Sequence, residues 1–252
     1  MDAGSFRAAC FVSGNSFFMS YQHLFFDLDH TLWDFEANSR AVWEVLYQEF
    51  QLAQELDPDF ARFYSRYQHF NDLLWERFRQ GAISREELRW KRVYLTLLEY
   101  RQPDDKLSRA LGEAYLDLLP RQQKLMDGAL EVLQFCKERY ELHLITNGFE
   151  TTQWQKLKSS GIDHFFGEVF TSERCNRPKP HRDIFDFALK TCNTCCEKSL
   201  MIGDALDADI LGALQAGWHA VYYNPEQKAH SEQPTYEITH LRELMTILEK
   251  EK

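Results

Sequence analysis

A chain of 252 residues, 44% of them apolar, has material for one large domain or two modest ones with a real core. Its formal net charge of −10, with no lysine- or arginine-rich block, argues against a nucleic-acid polymer as partner. No run of about eighteen apolar residues occurs, which excludes a helical membrane span.

Residues 1–18 hold one basic residue, Arg7, and a mildly apolar stretch broken by Ser13-Gly14-Asn15. They lack the charged start, continuous apolar run and small-residue cleavage site of a secretory leader. Met19 stands directly ahead of the first strand, so 1–18 reads as an upstream extension, and the expected location is cytoplasmic. Cys10, Cys136, Cys175, Cys192, Cys195 and Cys196 lack the second pair or histidine partner of a zinc finger and read as reduced thiols.

The first strand signal is Leu24-Phe25-Phe26, a short apolar run of the kind buried centrally in a parallel sheet. It leads into Asp27 and Asp29, at the carboxyl end of the strand, where open α/β sheets bind ligands. Two like charges so placed are costly unless neutralised, and a divalent cation does this most simply. Oxygen-only ligation suits Mg²⁺.

From 34 to 120 there is no strand signal. Apolar spacing predicts helices over 34–50 (Val42, Leu46, Phe50) and 58–79 (Phe60, Phe63, Tyr67, Phe70, Leu74, Phe78). A third follows the capping box Ser84-Arg85-Glu86-Glu87, and a fourth runs from near Pro103 to Leu119, stopped by Pro120. Four helices inserted after the first strand form a unit able to hinge over an active site. The expected division is therefore a helical cap over 34–120 and an α/β core made of 19–33 and 121–252. Trp75, Trp90 and Tyr94 are expected to pack helices rather than stack on a substrate.

From Asp127 strands and helices alternate: helix 127–139, strand 141–146, helix 151–160, a short strand Val169-Phe170-Thr171, helix 181–191, strand 199–203, helix 207–216 and strand 219–223. A last strand, Tyr236 to Ile238, precedes a helix carrying Leu241, Leu244, Ile247 and Leu248. Gly161 and Gly217 stand where a left-handed helix C-cap wants glycine. The alternation implies an α/β fold with a doubly wound parallel sheet.

Four segments carry chemistry in register. Asp27-Leu28-Asp29-His30-Thr31 resembles the first motif, Asp-x-Asp-x-Thr, of the haloacid-dehalogenase-like superfamily. The strand ending in Thr146-Asn147 looks like the second, and Lys179 within Arg177-Pro178-Lys179-Pro180 like the third. Gly203-Asp204, with Asp209 five residues on, looks like the fourth. Taken singly, Asp29 or Asp209 is more often a turn or cap residue, Thr146 a packing residue and Lys179 a solvated charge. Their order at the ends of predicted strands reverses those priors.

The resemblance implies a C1-capped, Mg²⁺-dependent phosphomonoester hydrolase working through an aspartyl-phosphate. Asp27 would be the nucleophile, and Asp29 the general acid and then the base. Mg²⁺ would be held by the carboxylates of Asp27 and Asp204 and the backbone carbonyl of Asp29. Thr146 would bind a phosphoryl oxygen beside backbone N–H groups around Asn147 and Gly148, and Lys179 would add positive charge. Asp209 would orient Lys179 or a metal-bound water; Asp207 fills a variable position, and His30 faces the entrance.

Asp29 separates branches of the family, because a halide leaves without a proton and an alkoxide needs one. Lys91, Lys106 and Lys124 stand in no motif that would supply a phosphonatase Schiff base. The run from Phe26 to Ser39, together with Ile145-Thr146-Asn147-Gly148 followed by Thr152-Gln153-x-x-Lys156-Leu157, looks like the bacterial pyrimidine 5′-nucleotidase branch. The implied partner is a small phosphorylated metabolite, a nucleoside monophosphate. The alternatives are a sugar-phosphate or phosphoglycolate phosphatase, a β-phosphoglucomutase-like enzyme or, further off, a non-catalytic phosphate-ligand binding protein on the same fold. Oligomeric state does not follow from these residues.

Overall fold

The computed structural model describes residues 21–56, 58–100 and 105–251; the 1–18 extension, Met19 and Pro103 lie outside them. Strand β1 (His23–Phe26) runs between β2 (Glu141–Thr146) and β4 (Ser199–Gly203). Strands β3 (Glu168–Thr171), β5 (His219–Tyr223) and β6 (Tyr236–Ile238) complete one sheet in the order β3-β2-β1-β4-β5-β6. Every pairing is parallel. The chain builds one half outward from β1 through β2 and β3, then returns to build β4 to β6. The resulting reversal beside β1 is the switch point at which such sheets form clefts.

Side-chain alternation explains why the strands are apolar on both faces. Leu24 and Phe26 enter one core cluster, with Leu142, Leu144, Leu200 and Ile202, while Phe25 enters another with Ile145, Phe170, Met201 and Trp218. Helices α6 (Ala129–Lys137), α7 (Glu150–Ser159), α8 (Ser172–Cys175), α9 (Arg182–Cys192), α10 (Gly212–Gln215) and α11 (Glu243–Lys250) accompany these strands. Gly161 and Gly217 adopt φ of 69° and 88°, the left-handed caps expected of them.

Between β1 and β2 lie α1 (Phe35–Glu49), α2 (Leu52–Glu55), α3 (Phe60–Arg79), α4 (Arg85–Leu98) and α5 (Asp105–Leu118). Asp34 and Asp59 cap α1 and α3, and Ser84 with Glu87 forms the predicted capping box of α4. Their shared core is aromatic: Trp43 lies 4.5 Å from Tyr67, 5.3 Å from Tyr115 and 5.4 Å from Phe63 between ring centroids. The chain leaves β1 and comes back side by side, with Trp33 bridged to Leu125 and the Asn38 amide closing on both backbone groups of Lys124.

Two elements differ from expectation. Pro120 falls inside a short 3-10 turn, Leu119–Arg121, because a proline near the start of a turn loses no hydrogen bond there. The helix expected over 207–216 is instead a π-helical turn, Leu206–Leu211, followed by α10. The wider turn accompanies a contact that a plain helix lacks: the Asp209 carboxylate folds back to accept from the Ala205 N–H at 3.0 Å. Among the described residues no helix is long and apolar enough to cross a membrane.

Candidate active site

Because Phe26 is level with Leu144 and Ile202 in the sheet, the chain segments after β1, β2 and β4 emerge together. Asp27, Thr146 and Asp204 thereby converge, and Lys179 joins them from the loop before α9. Its side chain, 2% exposed, donates to Asp27 Oδ1 and to the Ile145 carbonyl at 2.6 Å, and pairs with Asp209 Oδ1 at 2.6 Å. The Asn147 side chain holds the Lys179 backbone from both sides: Oδ1 accepts from its N–H at 2.7 Å and Nδ2 donates to its carbonyl at 3.0 Å. That engagement fixes the Asn147 side chain against the Lys179 backbone. Thr31 Oγ1 donates to Asp204 Oδ1 at 2.8 Å, so the threonine of the first motif orients the aspartate of the fourth. A β-carbon on Gly203 would overlap the Asp209 carboxylate, which makes glycine necessary there.

Asp29 faces a different set of partners. Lys156 Nζ donates to its Oδ1 at 2.5 Å and Gln153 Nε2 to its Oδ2 at 3.0 Å. Lys156 is 3% exposed, its ammonium 4.4 Å from the centre of the Trp33 ring and 5.4 Å from that of Phe35. Gln153 Nε2 also donates to Thr146 Oγ1 at 2.7 Å, which accepts as well from the Gly148 N–H at 3.1 Å. Sequence reasoning used Gln153 and Lys156 only as marks of resemblance. Their spacing of three on one helix put both on the same face of α7, and that was the available signal.

Among the described residues, the carboxylates able to share a metal are Asp27, Asp204 and Asp209, whose ligand oxygens lie within 4.8 Å of one another. This group includes Asp209, which the sequence placed behind Lys179, and excludes the Asp29 carboxylate, which is turned onto α7. The backbone carbonyl of Asp29, the atom expected at a metal, is not involved in those side-chain contacts. Asp207 is exposed, apart from this group.

Burial pushes Asp27 well above the usual carboxylate range; the Lys179 charge opposes this and Asp209 and Asp204 add to it. Asp204 is pushed up to about 6, by burial first and then by Asp209. Burial alone would lower Lys179, yet Asp209 and Asp27 together hold it above an ordinary lysine. Three acidic groups thus face one buried ammonium. An all-oxygen, electron-rich cluster with this excess of negative charge fits a hard divalent cation.

A cavity of about 260 Å³ opens above these groups. Its floor includes Asp27, Asp29, Thr146, Lys179 and Asp204, and α3 contributes Asn71, Asp72, Trp75 and Arg79. His30, at φ 67°, lies at the edge of the cavity with its ring 5.0 Å from Phe35. Trp75 departs from expectation in that it lines the cavity as well as packing, at 5.7 Å, against Phe149 and Phe78. Trp90 and Tyr94 pack edge to face at 5.3 Å.

A family model described as a haloacid dehalogenase-like hydrolase matches residues 21–217. The HAD-hydrolase YfnB of Bacillus subtilis is 32% identical over 231 residues, covering 90% of this chain and 95% of its own. A crystal structure of YfnB bound to magnesium superposes with a TM-score of 0.81, covering 91% of this chain and 99% of that one at 32% identity. The pyrimidine 5′-nucleotidase PynA of Streptococcus pneumoniae is 34% identical, covering 92% and 97% of the two chains. The pyrimidine 5′-nucleotidase YjjG of Escherichia coli is 28% identical, covering 91% and 99%.

Proposed function

The chain belongs to the haloacid dehalogenase-like hydrolase family, and from that premise we propose that it is a Mg²⁺-dependent phosphomonoesterase acting on pyrimidine nucleoside monophosphates. The observation that carries the reading is the pair Asp27 and Asp29, two residues apart yet held by separate cations. Such a pair can divide nucleophilic and proton-transfer work between its members.

Asp27 attacks phosphorus through a carboxylate oxygen as the ester P–O bond breaks, and an aspartyl-phosphate forms. Asp29 gives its proton to the departing alkoxide oxygen. It then takes a proton from the water that attacks the same phosphorus, which releases inorganic phosphate and restores Asp27. Thr146 Oγ1 already accepts two hydrogen bonds, so its own O–H is left to donate to a phosphoryl oxygen. Lys179 supplies positive charge to that group, and Asp209 keeps its ammonium in place. Gln153 and Lys156 fix the orientation of Asp29. The metal would be held by the carboxylates of Asp27 and Asp204 with the Asp29 carbonyl, Asp209 standing beside them. When bound it neutralises charge on the phosphoryl oxygens. Helices α1 to α5, within 34–120, act as a cap on the core formed by 19–33 and 121–252, and the paired strands of chain at Trp33 and Leu125 are its hinge.

The test is phosphate release with Mg²⁺ from UMP, dUMP and dTMP against ribose 5-phosphate and phosphoglycolate, with Asp27→Asn and EDTA as controls. Selective release from the nucleotides, lost in both controls, is expected. Preference for a sugar phosphate would replace the substrate and keep the mechanism, and activity surviving in Asp27→Asn would overturn the mechanism.

A further inference from the structure

The cap side of the cavity is lined by α3. Asn71 is 5% exposed, and its Oδ1 accepts from Arg92 Nη1 at 2.9 Å while its Nδ2 donates to Asp72 Oδ1 at 3.2 Å. Arg92 is itself buried, its guanidinium 5.0 Å from the ring centre of Tyr115. A buried cation on the amide oxygen settles which end of the amide is available: the NH₂ group points toward Asp72 and has a second hydrogen to give. Asp72, exposed beside it, offers carboxylate oxygens as acceptors. Trp75 follows less than one turn later, its indole braced by Phe149 and Phe78, so a flat wall stands next to a donor and an acceptor.

The charge on this side is equally informative. Arg79 lines it but pairs with Glu76 at 2.5 Å, and Asp72 adds a negative group. A second phosphate would meet a neutralised guanidinium and a carboxylate. A neutral, planar heterocycle meets a complementary surface instead.

We infer that Asn71, Asp72 and Trp75 form the nucleobase subsite of this enzyme. The inference rests on the nucleotidase reading and deepens it. The ring stacks on Trp75, a ring carbonyl accepts from Asn71 Nδ2, and an adjacent ring N–H donates to Asp72. Uracil and thymine carry that adjacent carbonyl and N–H, whereas cytosine has an unprotonated ring nitrogen where Asp72 needs a donor. A base-free sugar phosphate leaves the second Nδ2 hydrogen of Asn71 and the remaining Asp72 lone pairs without a ligand group to meet.

The experiment measures kcat and KM of the Mg²⁺-loaded full chain for UMP, CMP, ribose 5-phosphate and p-nitrophenyl phosphate, with Asp72→Asn, Trp75→Ala and Asn71→Leu. Asn71→Leu strands the buried Arg92 and can fail to fold, so Asp72→Asn, at an exposed position, is the deciding variant. It is expected to lose about 10- to 100-fold in kcat/KM on UMP, mainly through KM. Its CMP:UMP ratio should rise, with both base-free substrates within about 2-fold of wild type. Equal losses on all four substrates, or none on UMP, would overturn the subsite while a nucleotide-selective wild type still upheld the nucleotidase. A wild type that favours ribose 5-phosphate over UMP would reject the nucleotidase reading itself.

Discussion

The floor and the roof of the cavity are held by opposite means. On the floor three functional side chains are fixed by polar contacts from at least two directions: Lys179 by Asp27, Asp209 and Ile145, Thr146 by Gln153 and Gly148, Asp29 by Gln153 and Lys156. The roof rests on ring packing among Trp43, Phe63, Tyr67 and Tyr115, in which the polar pairs Arg92–Asn71 and Ser39–Tyr115 are embedded. Directional bonds set positions to a fraction of an ångström, as phosphoryl transfer demands. Ring contacts set shape and tolerate small shifts, which suits the proposed cap.

That contrast can be broken, and the sharpest attempt is on the floor. Asp27→Asn keeps the side-chain shape and removes the nucleophile, so turnover should fall at least about 1,000-fold on every substrate, whatever base it carries. A loss confined to nucleotides would place Asp27 in recognition and erase the distinction. In the roof, Trp43→Ala should lower stability by about 3–5 kcal/mol, read from urea unfolding. The protein that remains folded should keep its rate on p-nitrophenyl phosphate. A matching fall in that rate would show the two regions to be one cooperative unit.

Proton and metal dependence belong to the floor. Asp204, raised to about 6 in the fold, binds a proton more tightly there than in the unfolded chain. The stability it contributes is therefore complete below the unfolded value near 4 and lost as pH rises through about 6, a change of order 3 kcal/mol. Added Mg²⁺ should offset that loss, so the Tm gap between Mg²⁺ and EDTA samples should widen from pH 5 to pH 7.5. A gap that is constant with pH would remove Asp204 from the metal site. Finally, Lys156→Met should slow the single-turnover release of an alkyl leaving group such as uridine by about 10- to 100-fold. The burst of p-nitrophenolate, a leaving group that needs no proton, should change by less than about fivefold. Equal slowing of both would make Lys156 a packing residue only.

The same contrast explains what could be read from the chain itself. Asp27, Thr146 and Asp204 stand where apolar strands stop, so the pattern of strands placed them at one edge of a sheet whose order and direction the structure shows, whereas Lys179, in the loop before α9, was legible only through its resemblance to the family's third motif. Asp209 was harder to place, because its entry into the carboxylate cluster depends on a π-helical turn that reads as ordinary helix. Gln153 and Lys156 look like solvated polar residues of a surface helix, and only the fold turns them inward. In the roof, aromatic residues recur every three or four positions along α3. Periodicity reports that they are buried but not that Trp75 meets the cavity.

Gly148 has one more consequence. A β-carbon there would overlap the Gln153 amide, so the residue at 148 is small because the one at 153 is long. A larger residue at 148 would displace the Gln153 amide, and displacing it releases both Thr146 and Asp29. The two positions therefore act as a pair: a change at either one disturbs the hydrogen bonds that hold Thr146 and Asp29. The turn after β2 and the face of the helix that follows it are thereby tied to one another and to the two side chains they hold, Thr146 and Asp29.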